Sequence, residues 1–252
     1  IYLMRFSFGP SNIPQWKREQ FPDVTYEEYQ YLNRNLPDLK AASFVLNVGP
    51  ETIKHQDKSI SNVEIVPVSH DYYNIEELQV VNGRFYNEQE SMAGSPVMVV
   101  GDEIAKQLFG DTDPIGKKVR LYGRKFTIIG VLKKEGAGLF GNSKDTAAIV
   151  PVNMVRRIYG DNNKFTFPAI IIKPESGTDV AEFVASVTQR LRAFRGIKTD
   201  EIDNFFVNQL QGFTDFIDNI TGQMNIIGLM ISGFSLLVGG FGIANIMFVS
   251  VK

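Results

Sequence analysis

The feature that most constrains this chain is a long apolar segment at its C-terminal end. No charged residue occurs from Asn219 to Val251, and Ile226 to Val251 exceeds the ~20 residues that a helix needs to cross the hydrocarbon core of a bilayer. A buried core helix of a soluble protein is the alternative, but such helices are seldom apolar on every face over this length. We therefore predict one transmembrane helix over residues 224–251, preceded by a water-soluble domain.

This helix carries small residues four positions apart, a spacing that lets two membrane helices approach closely. The three pairs are Gly228 with Ser232, Ser235 with Gly239, and Gly240 with Ala244. They predict that the helix packs against partner helices, although a single anchor can also carry glycines at this spacing.

The charges that flank the segment predict its orientation. Asp215 and Asp218 precede it and Lys252 follows it at once, so the positive-inside rule places the water-soluble domain outside the cytoplasm. The chain also starts at Ile1 and stops one residue after the predicted helix. We expect it to be a piece of a longer membrane protein.

Composition excludes several classes of function. Lys and Arg number 26 against 28 Asp and Glu, so no basic stripe points to a nucleic-acid partner. The chain has no cysteine, which removes thiol catalysis and cysteine-bound metal. His55 and His70 lack acidic residues at the spacing of a triad or a metal set. The sequence predicts no catalytic, cofactor-binding or metal-binding residue, and no cofactor.

The water-soluble part alternates between predicted strands and helices. A capping box at Thr25 and Glu28 starts a helix that ends before Pro37. Residues 117–121 and 125–132 read as a hairpin, and a helix runs from Asp102, as N-cap, to Gly110. Thr178 or Asp179 caps an amphipathic helix. A last strand is predicted within 197–207 and a helix over 208–223, which together indicate a mixed α/β (α+β) fold.

Two glycine motifs resemble nucleotide-binding loops and fail in context. The spelling G-x-G-x-x-G occurs at Gly136–Gly141, but a strand rather than a helix is predicted to follow, so a glycine-rich loop between strands fits better. The stretch Gly110–Lys118 has five residues between its glycines and a Lys where a phosphate loop has Ser or Thr. Asp111 and Asp113 within it fit a turn.

An ordered set of short motifs carries a family resemblance. The motifs are Gly83-Arg84-Phe85, Pro96 to Gly101, Leu108-Phe109-Gly110, Asp113-Pro114-Ile115-Gly116-Lys117-Lys118 and Phe126 to Val131 with Gly130. Together they resemble the MacB-type periplasmic core domain of FtsX-like ABC transporter permeases. The resemblance runs from about Phe21 to the end, where Gly233 to Val251 looks like the membrane helix that follows this domain.

The resemblance implies an extracytoplasmic domain of two lobes, one inserted in the other. Residues 1–82 and 160–211 would form a membrane-proximal, porter-like lobe, and residues 83–159 the inserted small lobe. Residues 208–223 would be a stalk that leads into the membrane helix.

The same resemblance implies a function without enzymatic activity in this chain. A cytoplasmic ABC ATPase would hydrolyse ATP, and a permease dimer, of equal or different subunits, would pass the motion to the outer domain for export or substrate handling. A periplasmic adaptor or a substrate protein would be a further partner. The protein would lie in a bacterial inner membrane, with residues 1 to about 222 outside the cytoplasm.

Two other functions stay open. For a membrane-anchored sensor or binding domain, with signalling machinery beyond Lys252, one helix before the domain and one after it would suffice. A tethered enzyme would need a catalytic constellation that the sequence does not present. No residue identifies the transported substrate.

Overall fold

The computed structural model describes residues 1–136, 143–160, 163 and 166–250. Within these ranges strands and helices alternate, which confirms the predicted mixed α/β class. The strands are β1 (Tyr2–Met4), β2 (Leu39–Asn47), β3 (Glu51–His55), β4 (Lys58–Val68), β5 (Val80–Gly83), β6 (Val97–Val100), β7 (Lys118–Leu121), β8 (Arg124–Leu132), β9 (Ala147–Pro151), β10 (Phe167–Pro174) and β11 (Phe206–Asn208). The helices are α1 (Gln15–Arg18), α2 (Tyr26–Asn35), α3 (Tyr72–Ile75), α4 (Glu88–Ala93), α5 (Asp102–Phe109), α6 (Val152–Tyr159), α7 (Val180–Arg195) and α8 (Leu210–Ser250).

Four strands form an antiparallel sheet in the order β11-β1-β10-β2, which we call the four-stranded sheet. Its strands come from both ends of the soluble part, since Leu3 pairs with Val207 and with Ile170. Buried side chains of α2 and α7 belong to the same core as those of this sheet, among them Leu32, Val187 and Leu191. The periodic apolar positions of both helices therefore find the partner surface that they need.

The next six strands pair in a closed circle, which we call the strand ring. The order β4-β3-β7-β8-β6-β9 returns to its start because β9 also pairs, in parallel, with β4 from Glu64 to Val68. β5 pairs with β8 off this circle. Large apolar side chains of the ring are fully buried, including Ile53, Met98, Phe126 and Ile128. Closure leaves few free strand edges in this part of the domain.

Local capping explains where the helices begin. Thr25 caps α2, and both hydrogen bonds of the predicted capping box are formed with Glu28. Asp179 rather than Thr178 caps α7, with its carboxylate accepting from the amides of Ala181 and Glu182. Both helices thus satisfy amide groups that would otherwise lack partners.

The predicted N-cap of α5 was wrong. Gly101 occupies the cap position without a side-chain hydrogen bond, and Asp102 is the first helical residue. A Cβ atom on Gly101 would lie 2.2 Å from the carbonyl oxygen of Asp145. The cap position therefore has no room for an aspartate side chain.

The hairpin prediction was confirmed, and its turn consists of Tyr122 and Gly123. Both residues have positive φ, at 52° and 71°, as the two-residue hairpin turn requires. The sequence missed β3, β5 and α4. The strand predicted within residues 197–207 is only β11, which begins at Phe206.

Residues 1–7 and 12–208 form one compact unit, and residues 8–11 with 209–252 form a second. The strand ring draws β3 and β4 from the stretch assigned to the first lobe and β6 to β9 from the inserted stretch, and the two-lobe division stays a prediction. In the second unit, α8 is one helix of 41 residues. The glycine-rich motif continues from Gly136 into residues 137–142, which lie outside the described residues.

Candidate functional site

The two histidines contact neighbouring side chains and backbone of the domain. The ring of His55 lies 4.5 Å from that of Phe109, and its Nδ1 is 2.8 Å from the carbonyl oxygen of Lys118. His70 Nε2 lies 3.5 Å from a carboxylate oxygen of Asp71. In the described ranges no group of three or more His, Cys, Asp or Glu side chains is placed to hold a metal ion. That this chain has no catalytic site stays a prediction.

Three glycines of the family motifs lie where a neighbouring backbone leaves no room for a side chain. A Cβ atom would stand 2.2 Å from a carbonyl oxygen at Gly83, 2.2 Å at Gly101 and 2.4 Å at Gly130. Gly83 and Gly130 face each other in the pairing of β5 with β8. These positions bring backbone segments closer than any side chain permits.

Arg84 and Phe85 fix the segment between β5 and α4. The Arg84 guanidinium donates to both carboxylate oxygens of Glu90, at 2.6 and 2.7 Å, and Glu90 also forms the capping box of α4 with Asn87. The hydrogen bond from Arg84 holds the pKa of Glu90 below its usual range. The Phe85 ring stacks on Tyr86 at 4.2 Å between centroids.

The remaining motif residues form the end of α5 and the turn after it. They are Leu108, Phe109, Gly110, Asp113, Pro114, Gly116 and Lys117. The Asp113 carboxylate accepts from the Asn82 side chain and from the Ile115 amide, both at 3.0 Å. The Gly116 amide donates to the Ile128 carbonyl at 2.8 Å. The contacts with Asn82 and Ile128 tie the turn to β5 and β8, and the contact with Ile115 lies within the turn. That these residues are a fold signature stays a prediction.

One exposed face of the strand ring carries a row of positive charges. Lys54 on β3 stands opposite Arg120 on β7, and Arg120 stands opposite Lys125 on β8. All three side chains are exposed. The net charge of −2 gives no sign of this surface, because these residues become neighbours only through strand pairing.

Two neighbouring cavities share Gln56 and follow this face. The first, of about 310 Å³, is lined by Lys54, Lys118, Arg120 and Lys125. The second, of about 370 Å³, is lined by Lys58 and Lys117, with Phe109 among its apolar residues. We call the two cavities together the cation groove.

The second unit presents an apolar surface on all sides of α8. From Ile226 to Phe241 its large apolar side chains are between 56% and 81% exposed. The stretch Ile220–Phe241 is long and apolar enough to cross a membrane, and it overlaps the predicted span of residues 224–251. Apolar surface of this extent demands a lipid or protein environment.

The structure places the predicted packing residues along this helix. A Cβ atom added to Gly228, Gly239 or Gly240 would have no neighbour within 4 Å. The Ser235 hydroxyl donates to the Ile231 carbonyl within the helix. In an α-helix, residues four positions apart lie on one face. Gly228 therefore shares a face with Ser232, Ser235 with Gly239, and Gly240 with Ala244. Their role in helix packing stays a prediction.

Comparison with known proteins identifies the type of domain. The model of the MacB-like periplasmic core domain matches residues 3–190. The macrolide export ATP-binding/permease protein MacB of Neisseria meningitidis serogroup A is 30% identical over 83% of this chain and 32% of its own length. The uncharacterized ABC transporter permease YknZ of Bacillus subtilis is 31% identical over 78% of this chain and 47% of its own. The chain thus spans 32% and 47% of the lengths of these two relatives.

Solved structures confirm the fold. The periplasmic region of MacB from Actinobacillus actinomycetemcomitans superposes with a TM-score of 0.66 at 16% identity, covering 86% of this chain and 92% of that one. The extracellular domain of the transporter YknZ from Gram-positive bacteria gives 0.61 at 21% identity, covering 81% and 97%. By its sequence match and its fold, this chain belongs to the MacB-like periplasmic core domain family.

Proposed function

We propose that this chain is the extracytoplasmic domain, with the following membrane helix, of an ABC transporter permease. Its role is to receive motion that a cytoplasmic ATPase generates and to act on substrates outside the cytoplasm. Family membership supports this proposal, since the relatives described above are ABC transporter proteins.

The observation that carries the proposal is the continuity of α8. The helix runs unbroken from Leu210, two residues after the last strand of the domain, to Ser250. At 1.5 Å per residue it is about 60 Å long, which is twice the hydrocarbon thickness of a bilayer. Residues 208–223 are the proposed stalk and residues 224–251 the proposed span, and one continuous helix contains most of both.

The rest of the assembly follows from this role. A second permease subunit, equal or different, packs on the face of α8 that carries Gly228, Ser232, Ser235 and Gly239, while Gly240 and Ala244 lie on another side of the helix. The protein lies in a bacterial inner membrane with residues 1 to about 222 outside, and a periplasmic adaptor or a substrate protein is a further partner. Residues 83–159 act as a small lobe inserted between 1–82 and 160–211.

A macrolide is the first substrate to test, because several relatives are named for macrolide export. Efflux of such a compound would use the full-length protein, of which this chain is the outer part.

A break in α8 tests the mechanical coupling. Ile217→Pro in the full-length permease with its ATPase removes one helix hydrogen bond and disturbs the turn before it, at a cost of about 3 kcal/mol to the helix. We expect macrolide efflux from proteoliposomes to fall at least tenfold while ATP hydrolysis continues. Ile217→Ala, which keeps the helix, is the matched control.

Two results would overturn the proposal. Equal efflux by the proline and alanine variants would show that α8 transmits nothing. A full-length protein with one membrane helix before residue 1 and no further span after residue 252 would instead be a membrane-anchored sensor or binding domain.

A further inference from the structure

The positive row on the strand ring is electrostatically unfavourable for the domain itself. Residues opposite each other on adjacent strands have Cβ atoms roughly 5 Å apart, and like charges at this distance destabilise a sheet. Lys54, Arg120 and Lys125 form two such pairs in succession. On the other side of Lys54 the paired residue is Ser59, which brings no compensating charge.

Among the described residues, no carboxylate forms an ion pair with this row. In the described part of the chain, the ion pairs join other cations to Asp or Glu, and none includes Lys54, Arg120 or Lys125. The residues that line the cation groove include one carboxylate, that of Asp57, and six lysine and arginine side chains. The groove therefore has an excess of positive charge that folding does not use.

The shape of the groove favours an extended ligand. The two cavities of about 310 and 370 Å³ meet at Gln56, so the binding surface is longer than one phosphate or carboxylate needs. Its accessible surface mixes the charged ends of the lysine and arginine side chains with their aliphatic stems, while Val119, Leu108 and Phe109 lie buried beneath them. Contacts of this mixed kind suit a polypeptide, in which acidic and apolar side chains alternate, better than they suit a phosphate headgroup.

We propose that the cation groove is a docking site for an extended acidic segment of a partner protein. The carboxylates of that segment lie over Lys54, Arg120 and Lys125, and its apolar side chains contact the aliphatic stems of these residues. The proposal is independent of the transport function, because docking needs neither ATP nor a substrate.

Binding of an acidic peptide measures the docking directly. The full chain is placed in nanodiscs of phosphatidylcholine and titrated into a fluorescein-labelled peptide of alternating Glu and Leu, with fluorescence anisotropy as the readout. We expect saturable binding that weakens between 50 and 200 mM salt. The triple variant Lys54→Gln, Arg120→Gln, Lys125→Gln should bind at least tenfold more weakly.

The matched control removes three exposed cations elsewhere on the domain. Arg34→Gln, Lys40→Gln, Lys198→Gln changes the net charge equally, and its affinity should stay within twofold of the wild type. Unchanged melting temperatures in both variants confirm that each is folded.

Three outcomes would overturn the proposal. Equal weakening by both triple variants would mean that net charge alone attracts the peptide. Failure of the folded wild type to bind would remove the site. Phosphatidylglycerol vesicles that bind through the same three side chains while the peptide does not would assign the groove to a lipid surface. A loss of efflux without any of these results would bear on the proposed function alone.

Discussion

The four-stranded sheet with its helices and the strand ring use charge in opposite ways. Beside the sheet, Glu28 of α2 and Arg195 of α7 form a buried pair, with contacts of 2.7 and 3.0 Å and side chains 5% and 7% exposed. Arg195 also donates to the Asn204 backbone and side chain. On the ring, Lys54, Arg120 and Lys125 are exposed and stand beside one another.

The difference separates structural charge from charge available for binding. A buried pair with all its hydrogen bonds fixes how two helices and a loop meet, and it is intolerant of losing one member. An exposed row of like charges slightly destabilises the fold and attracts an opposite charge from outside. Four substitutions sharpen this contrast.

The largest effect is expected at the buried pair. Arg195→Met leaves the buried Glu28 carboxylate without its positively charged partner, which should lower the free energy of unfolding by about 3–5 kcal/mol. Urea denaturation of the chain in detergent measures the loss. Adding Glu28→Gln should recover part of it, because glutamine is neutral and can still complete the capping box. An equal loss in Arg34→Met, at an exposed position, would contradict this account.

A smaller loss is expected where two backbone segments touch. In Gly101→Ala the new Cβ would stand 2.2 Å from the carbonyl oxygen of Asp145, and the backbone must shift, at a cost of about 1–3 kcal/mol. Gly49→Ala is the control, since its Cβ would meet nothing within 4 Å. If the two variants unfold at the same urea concentration, the close approach at Gly101 is not required.

Asp145 links stability to pH. Burial disfavours its charged form, but hydrogen bonds from the amides of Glu135 and Gly136 outweigh this effect and lower its pKa. A lowered folded pKa means that the ionised group stabilises the fold above the unfolded pKa of about 3.9, and that this stabilisation is lost as the pH falls through the folded value.

Asp145→Asn should therefore be less stable than the wild type at neutral pH. The gap between the two proteins should narrow as the pH falls below about 4, as thermal unfolding over a pH series would show. A gap that does not change with pH would mean that the charge of Asp145 has no part in holding Glu135 and Gly136.

The smallest expected effect is an increase in the free energy of unfolding. Arg120→Gln removes the middle charge of the row and should raise the free energy of unfolding by about 0.2–1 kcal/mol, because two like-charge pairs disappear. The same exchange at Arg34, which has no like-charged partner on an adjacent strand, should change stability less. A clear loss of stability in Arg120→Gln would show that the row supports the fold.

Local signals made much of the fold predictable from the sequence. The capping box at Thr25 and the hairpin predicted from residues 117–121 and 125–132 depend on residues that are neighbours in the chain, and both were confirmed. The strand β3 was missed because Ile53 is its single buried residue. Its polar sequence forms a strand because β4 and β7 supply hydrogen bonds on both sides.

The residues of the candidate site also divide into those that the sequence could predict and those that it could not. The motif glycines could be named from the sequence. The sequence does not show why glycine is needed there, because a Cβ atom would lie within about 2.4 Å of a carbonyl oxygen from another segment of the chain. The cation groove could not be predicted, because Lys54, Arg120 and Lys125 meet only through the register of three strands. The cap of α5 was mistaken because Asp145, far along the chain, occupies the space that a side chain at Gly101 would need.

The central claim is that an extracytoplasmic domain continues through α8 into the membrane, and cysteine labelling tests it most directly. The chain has no native cysteine, so single substitutions at Lys40, on the domain, and at Leu229, 75% exposed on α8, can be compared in the full-length protein. In intact spheroplasts, a membrane-impermeant maleimide should label Lys40→Cys fully and leave Leu229→Cys unlabelled until the membrane is dissolved. Labelling of Lys40→Cys only after lysis, or rapid labelling of Leu229→Cys in intact spheroplasts, would contradict the account.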